Sequence, residues 1–310
     1  MEREQGSVES FLKWAAELGV SDFTNTVHSC LGQSLFVSHF PDAGGRGLAA
    51  VRDLRKGELL LRVPKSALIT SECLLKDHKL SVTVKRHPSL SSTQILTVCL
   101  LAEMDKGTSS WWHPYLMQLP RSYDTLMTFG QFEMQALQVE DAVWATDKAI
   151  SKAKLEWKET IALMEKLNLR PQFLNFKAWI WASATISSRT LHIPWDDAGC
   201  LCPVGDFFNY APPGEELLGF DDLSSCRYTA SLQVSSLWNG NITEDLVSQQ
   251  SDDPLQRLSD GGYEEDVAAY CFYARKNYKK GEQLLNPDRT LTRSGGRVTG
   301  SPVSTVGSLV

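Results

Sequence analysis

The chain has 310 residues, 42% of them hydrophobic and 22% charged, ordinary values for a globular protein with room for one large domain or two smaller ones. A formal net charge of −6 argues against a nucleic-acid binder that works through a broad basic surface. No window approaches 18 consecutive apolar residues, so no membrane span is expected.

The opening residues, MEREQGSVES, carry three glutamates and no apolar core, unlike a secretion signal or an Arg-rich transit peptide. The expected compartment is therefore the cytoplasm or the nucleus. The seven cysteines (Cys30, Cys73, Cys99, Cys200, Cys202, Cys226 and Cys271) read as reduced thiols. Cys200-Leu201-Cys202 is a close pair, but structural zinc wants four ligands and usually wider spacing, so no metal is expected.

Residues 8–18, VESFLKWAAEL, set Val8, Phe11, Leu12, Ala15 and Leu18 on one helical face, with Gly19 as the stop. Strand-like runs follow at 34–40 (SLFVSHF), 48–52 (LAAVR) and 58–63 (ELLLRV), and DAGGRG between the first two reads as a turn. From about 71 to 190 the pattern is helical. STQILTVCLLAEMDKG stops at Gly107, 131–167 is rich in Ala, Lys, Glu and Leu, and 173–188 is a third block. Pro114 and Pro120 fall in a connector. Strand patterns return at 228–234 (YTASLQV) and 268–275 (AAYCFYAR), around an acidic loop at 239–262 that reads as mobile. The fold class expected is α+β: one domain over 8–285, its strands at 34–63 and 228–285 interrupted by a helical insertion at about 71–190.

One internal echo stands out. LRKGELLLRVP at 54–64 and YKKGEQLLNPD at 278–288 share a basic-basic-Gly-Glu turn that leads into apolar residues. The first copy runs on to Pro64; the second is cut by Asn286-Pro287. Residues 286–310 hold no aromatic, four glycines, four serines, four threonines and two prolines, a composition that predicts a disordered tail.

Three features suggest chemistry. Gly44-Gly45-Arg46-Gly47 lets the backbone approach a ligand closely, although a glycine turn is also an ordinary connector. Arg189 closes the helical block, where it could hold a carboxylate or simply complement the helix dipole. CPVGDFFNYAPPGEE at 202–216 sets aromatics in a Gly/Pro-rich stretch, which suits a site or a surface loop with a buried Phe-Phe pair.

Taken in order, GGRGLAAVRDLRKGELLLRVPKSALIT, a helical insertion, SSRTLHI and DFFNY resemble the SET-domain protein methyltransferases, in particular the plant Rubisco large-subunit methyltransferase type. The resemblance runs from about residue 8 to 285. It implies a SET fold and S-adenosyl-L-methionine as cofactor, contacted by the backbone of Gly45, Arg46, Gly47 and Leu48, by Arg189, and by Asn209 and Tyr210. The family's Asp-x-x-Asn-His motif falls on Asp206 to Tyr210, with tyrosine in place of histidine. Main-chain carbonyls at Ser188 and Asp206 are implied to orient a substrate amine. The implied partner is a protein lysine side chain, with no direct nucleic-acid or membrane partner, and the expected form is a monomer.

The same resemblance raises a difficulty. In the family, the strand after the second Gly-Glu turn leads into a Tyr-Gly motif bearing an essential tyrosine, and a helical substrate-binding domain follows. Here Asn286-Pro287-Asp288 stands in that place and no tyrosine follows Tyr278. The expectation is a protein-lysine methyltransferase by family, inactive and truncated in this form, with the catalytic residue unassigned. The alternative is a non-catalytic module that binds cofactor or protein.

Overall fold

The computed structural model describes residues 2–22, 29–41, 45–76, 78–210 and 261–286. Helix α1 (Glu2–Glu17) buries Phe11 and Ala15 completely, and Gly19 turns the chain away at φ +84°. The next runs form β1 (Leu35–Phe40), β2 (Gly45–Ala50) and β3 (Leu59–Pro64).

One expectation is corrected here. Gly45, Arg46 and Gly47 are not a turn; they pair with Phe40, His39 and Ser38 as the first half of β2. Gly45 is required by its φ of +78°. Gly47 is required by space, because an added Cβ would lie 2.6 Å from Nδ2 of Asn209. Gly45 thus serves its own backbone conformation and Gly47 the side chains beside it.

The helical lobe comprises α2 (Ser71–Leu74), α3 (His78–Val84), α4 (Ser92–Lys106), α5 (His113–Leu116), α6 (Gln131–Ala136), α7 (Glu140–Lys166), α8 (Pro171–Leu174) and α9 (Phe176–Arg189). At its centre, α4 opens on a Ser91–Gln94 capping box and closes on Gly107, and it buries Leu96, Val98, Leu100 and Leu101. The block expected over 131–167 is two helices, parted at residues 137–139. Pro114 lies in α5, not in a connector; near a helix start its missing N–H removes no helical bond. No described helix is long and apolar enough to cross a membrane.

A hairpin that patterning missed follows α9: β4 (Thr190–Ile193) and β5 (Asp196–Leu201). No glycine or proline separates Arg189 from Thr190, so the sequence carries no sign of the change. A 3-10 turn (Gly205–Phe207) leads to β6 (Asn209–Tyr210), and later come β7 (Gly261–Glu264), β8 (Ala269–Tyr273) and β9 (Gln283–Asn286). The strand expected at 228–234 and the tail from residue 287 lie outside the described residues. Two boundaries change. Gly261 and Gly262 are strand residues paired with Phe272 and Cys271, not loop, and Asn286 belongs to β9, paired with Tyr210.

The described strands form three sheets, in the orders β1-β2-β9-β6, β3-β8-β7 and β4-β5. Early strands thus pair with late ones across the helical lobe, and a single apolar core runs through helices and strands alike.

The two Gly-Glu turns pack on each other about a local two-fold axis. Gly57 donates to the Ala274 carbonyl and Ala274 to that of Glu58; Gly281 donates to Ala50 and Ala50 to Glu282. At the centre Leu54 and Tyr278 exchange both backbone bonds, and all six N···O distances lie between 2.7 and 3.0 Å. Side chains obey the same symmetry. Glu58 accepts from the Arg55 N–H and Glu282 from that of Lys279; Asp53 accepts from the Lys280 N–H and Asn277 from that of Lys56.

Candidate functional site

The site is assembled by β2, the C-terminal end of α9 and the segment 205–210. β9 lies between β2 and β6, antiparallel to the first (Leu48 opposite Leu284) and parallel to the second (Asn209 opposite Leu285). This arrangement brings the Asn209 amide over Gly47, next to the side chains of Gln283 and Phe40. Without a Cβ at Gly47, three side chains and a backbone can share that spot.

Arg46 is committed to packing. Its Nη1 and Nη2 donate to the Oε1 and backbone carbonyl of Gln118, at 2.9 and 2.5 Å, and its guanidinium lies 4.2 Å from the centre of the Phe207 ring. Leu48 is wholly buried. At both positions the side chain is used by the fold, and Leu48 is also paired with Val37 of β1 and Leu284 of β9.

At the end of α9, Arg189 Nη1 donates to Asp206 Oδ2 at 2.9 Å and to the Asp206 backbone carbonyl at 3.2 Å. The Asp206 side chain is fully buried, while that of Arg189 keeps 16% of its surface open. Asp206 Oδ2 also accepts the hydroxyl of Tyr115 at 2.9 Å, and Arg189 Nε donates to the Tyr123 phenol at 3.3 Å. Burial is the largest influence on Arg189 and works to lower its pKa, but the Asp206 carboxylate with Tyr123 and Tyr115 together outweigh it and the pKa rises, so this cation is permanent. Burial first, and Asp206 next, push the Tyr115 phenol well above its usual range and keep it a proton donor.

Ser188 stands beside this cluster in α9, its hydroxyl donating to the Ala184 carbonyl at 2.6 Å. The backbone of Tyr210 pairs with Asn286. Of the residues singled out by sequence, Arg189 and Asp206 are in direct contact, Gly47 and Asn209 are in direct contact, and Arg46 reaches Phe207 between them in the chain order of the motif. Phe207 and Phe208 are both buried, as a Phe-Phe pair in this stretch suggests. Sequence reasoning missed Tyr115, Tyr123 and Gln118, which lie in the stretch read as a connector; nothing in their spacing betrays their partners. A cavity of about 500 Å³ lies elsewhere, lined by residues such as Asp22, Arg52 and Arg62, and includes none of the site residues.

The sequence profile of the SET domain matches residues 45–287, from the first glycine of β2 to just past β9. The chain belongs to the SET-domain family. It is similar to Protein SET DOMAIN GROUP 40 of Arabidopsis thaliana, with 56% identity over 92% of this chain and 56% of that protein. It is also similar to the actin-histidine N-methyltransferase of Rhinolophus ferrumequinum, at 28% identity over 64% of this chain and 33% of that protein. Among solved structures, Rubisco LSMT bound to AdoMet matches with a TM-score of 0.60 at 18% identity, over 91% of this chain and 53% of that one. The SET domain of LSMT bound to lysine and AdoHcy gives 0.62 at 17%, over 92% and 54%. These two share the SET fold with the present chain, which spans about half the length of the relatives it matches most fully.

Proposed function

We propose that this SET-domain chain binds S-adenosylmethionine along β2, at Arg189 and at Asn209-Tyr210, in the fold of a protein-lysine methyltransferase, and that in the present form it transfers no methyl group. The observation that carries the reading is the meeting of Gly45–Leu48, Arg189–Asp206 and Asn209 from distant parts of the chain. Such a ligand suits this set. A permanent, partly open guanidinium matches an amino-acid carboxylate, and the strand bare of a Cβ at Gly45, where an added Cβ would meet only His39 at 3.9 Å, leaves a flat nucleoside room to approach the backbone. The solved relatives are described as bound to AdoMet, AdoHcy and lysine, which supports the choice.

Bound, the cofactor would supply an electrophilic methyl group. The protein's part is then alignment and water exclusion. The carbonyls of Ser188 and Asp206 would orient the incoming amine; that of Asp206 already accepts from Arg189. A lysine amine with a free pKa of ~10.4 must arrive neutral, so the channel has to be dry and apolar.

That last requirement is where this chain departs from the family. Residues 279–310 hold no tyrosine. The tyrosine hydroxyl that family resemblance places after β9 is therefore not supplied by these residues. The same lack favours a second reading, a non-catalytic module that binds cofactor or a protein tail. The test compares the chain with a graft carrying the SET DOMAIN GROUP 40 sequence beyond Leu285, in a radiolabelled-methyl transfer assay on plant extract. Labelling by the graft alone is expected; equal labelling by both would overturn the inactive reading. Calorimetry showing no S-adenosylmethionine binding at millimolar cofactor would overturn the first reading and leave of the second only a module that binds a protein tail.

A further inference from the structure

The site contains a buried polar chain that joins Arg189 and Asp206 to Tyr115, a residue the family resemblance does not use. Tyr115 comes from α5, Asp206 from the 3-10 turn before β6, and Arg189 from α9. Their atoms form one line: the Tyr115 hydroxyl on Asp206 Oδ2 at 2.9 Å, and Arg189 Nη1 on that same oxygen at 2.9 Å. Tyr115 and Asp206 are sealed from solvent, and the Tyr115 ring is held by Phe11 of α1, 6.2 Å away between centroids, which in turn packs on Phe207 at 5.4 Å.

We propose that Tyr115 is a positioning residue for the ligand site: by holding the Asp206 carboxylate, it sets where the Arg189 guanidinium presents its open donors to the carboxylate of the bound ligand. This rests on the reading of Arg189 as the ligand's carboxylate partner. Without the Tyr115 donor, Oδ2 would lean harder on the Arg189 cation, because a buried carboxylate oxygen has no water to turn to. The Tyr115 hydroxyl shares the load on Oδ2 and stays protonated. The guanidinium is steadied from its other side by Tyr123, which accepts from Nε. Donors pinned at both ends of a planar fork give a fixed geometry for a second anion. Arg189 therefore sits between two tyrosines, one acting through its anion and one directly.

The experiment uses the full chain, Tyr115→Phe, and two ligands that differ only at the relevant end. S-adenosylhomocysteine carries the amino-acid carboxylate; methylthioadenosine carries the same nucleoside without it. Calorimetry should show the variant binding S-adenosylhomocysteine roughly ten-fold more weakly, the loss typical of one hydrogen bond at a charged group, with methylthioadenosine affinity unchanged. Equal weakening of both ligands would reduce Tyr115 to a packing role and overturn the proposal, as would no weakening of either. Thermal melting checks that the variant folds; if it does not, Tyr123→Phe loosens the same guanidinium and must show the same selective loss. If the unmodified chain binds methylthioadenosine but S-adenosylhomocysteine no better, Arg189 is not the carboxylate partner and the proposal falls while the nucleoside site stands. If it binds neither, the cofactor reading itself has failed.

Discussion

The turns at 50–58 and 274–282 share a mould and differ in what they are asked to hold. Both place glycine in the left-handed region, at φ +80° for Gly57 and +83° for Gly281, and both cap a basic residue's N–H with the glutamate that follows. Yet the first turn pairs Arg52 with Glu58 and carries Leu54 at its centre, while the second pairs Lys276 with Glu282 and carries Tyr278. After the first, β3 runs to Pro64 at the edge of its sheet; after the second, β9 is enclosed between β2 and β6. The backbone bonds are matched pair for pair, so the fold depends on the mould, and side chains vary wherever they leave those bonds intact.

The strongest way to break this pairing is at its centre. Leu54 and Tyr278 are 2% and 4% exposed. Leu54→Ala should cost about 3 kcal/mol and Tyr278→Ala about 4 kcal/mol in urea unfolding, by lost burial and the cavity left behind. Because the two are backbone partners, the double variant should fall short of the sum by at least ~0.5 kcal/mol; strict additivity would mean that the turns do not act as a unit.

Next comes the mould itself. An added Cβ meets nothing within 4 Å at either Gly57 or Gly281, so Gly→Ala there measures backbone strain alone. Each should lose roughly 1–2 kcal/mol, and the two losses should agree. A clearly larger loss at Gly281 would show that the enclosed strand makes its turn less tolerant than the edge strand makes its twin.

A smaller effect should appear in acid. Burial works to raise the pKa of Glu58 and Glu282, but Arg52 with the Arg55 N–H, and Lys276 with the Lys279 N–H, hold both below the usual carboxylate value. Folded pKa values below unfolded ones mean that this stability is complete above the unfolded value of ~4.3 and is lost as pH falls through the folded values. Replacing both with glutamine should flatten the decline in melting temperature below about pH 4.5. An unchanged acid limb would assign the decline to other carboxylates.

The smallest effect sharpens the comparison by making the copies more alike. Asn277 already performs the backbone cap that Asp53 performs in the other turn. Asp53→Asn should keep that cap, lose only the exposed ion pair to Lys279, and leave the melting temperature unchanged. A measurable drop would mean that the charge, not the cap, is what position 53 supplies.

These contrasts also show how far sequence could go. The repeated Lys-Gly-Glu was plain to read, and with it two tight turns entering strands. That Leu54 would meet Tyr278 was not, because nothing local in either turn names its partner. The α+β order was visible in the strand–helix–strand patterning, and the roles of the glycine, arginine and Asp-x-x-Asn positions through family resemblance. The reason for Gly47 was hidden, since it depends on Asn209 lying above it. Tyr115 was hidden twice over: it sits between two prolines that read as a connector, and the carboxylate its hydroxyl meets is 91 residues away.

The dyad also sets a clock for synthesis. Asp53 and Lys280 are 227 residues apart. At ~5–20 residues per second a ribosome needs roughly 11–45 seconds to make the second turn after the first. Throughout that interval β2 has β1 on one side and no β9 on the other, and β3 waits for β8. The helical lobe, whose contacts are more local, can form meanwhile. A nascent chain therefore carries two open strand edges past the completion of its helices, and those edges are where a chaperone holding the unfinished protein would be expected to grip.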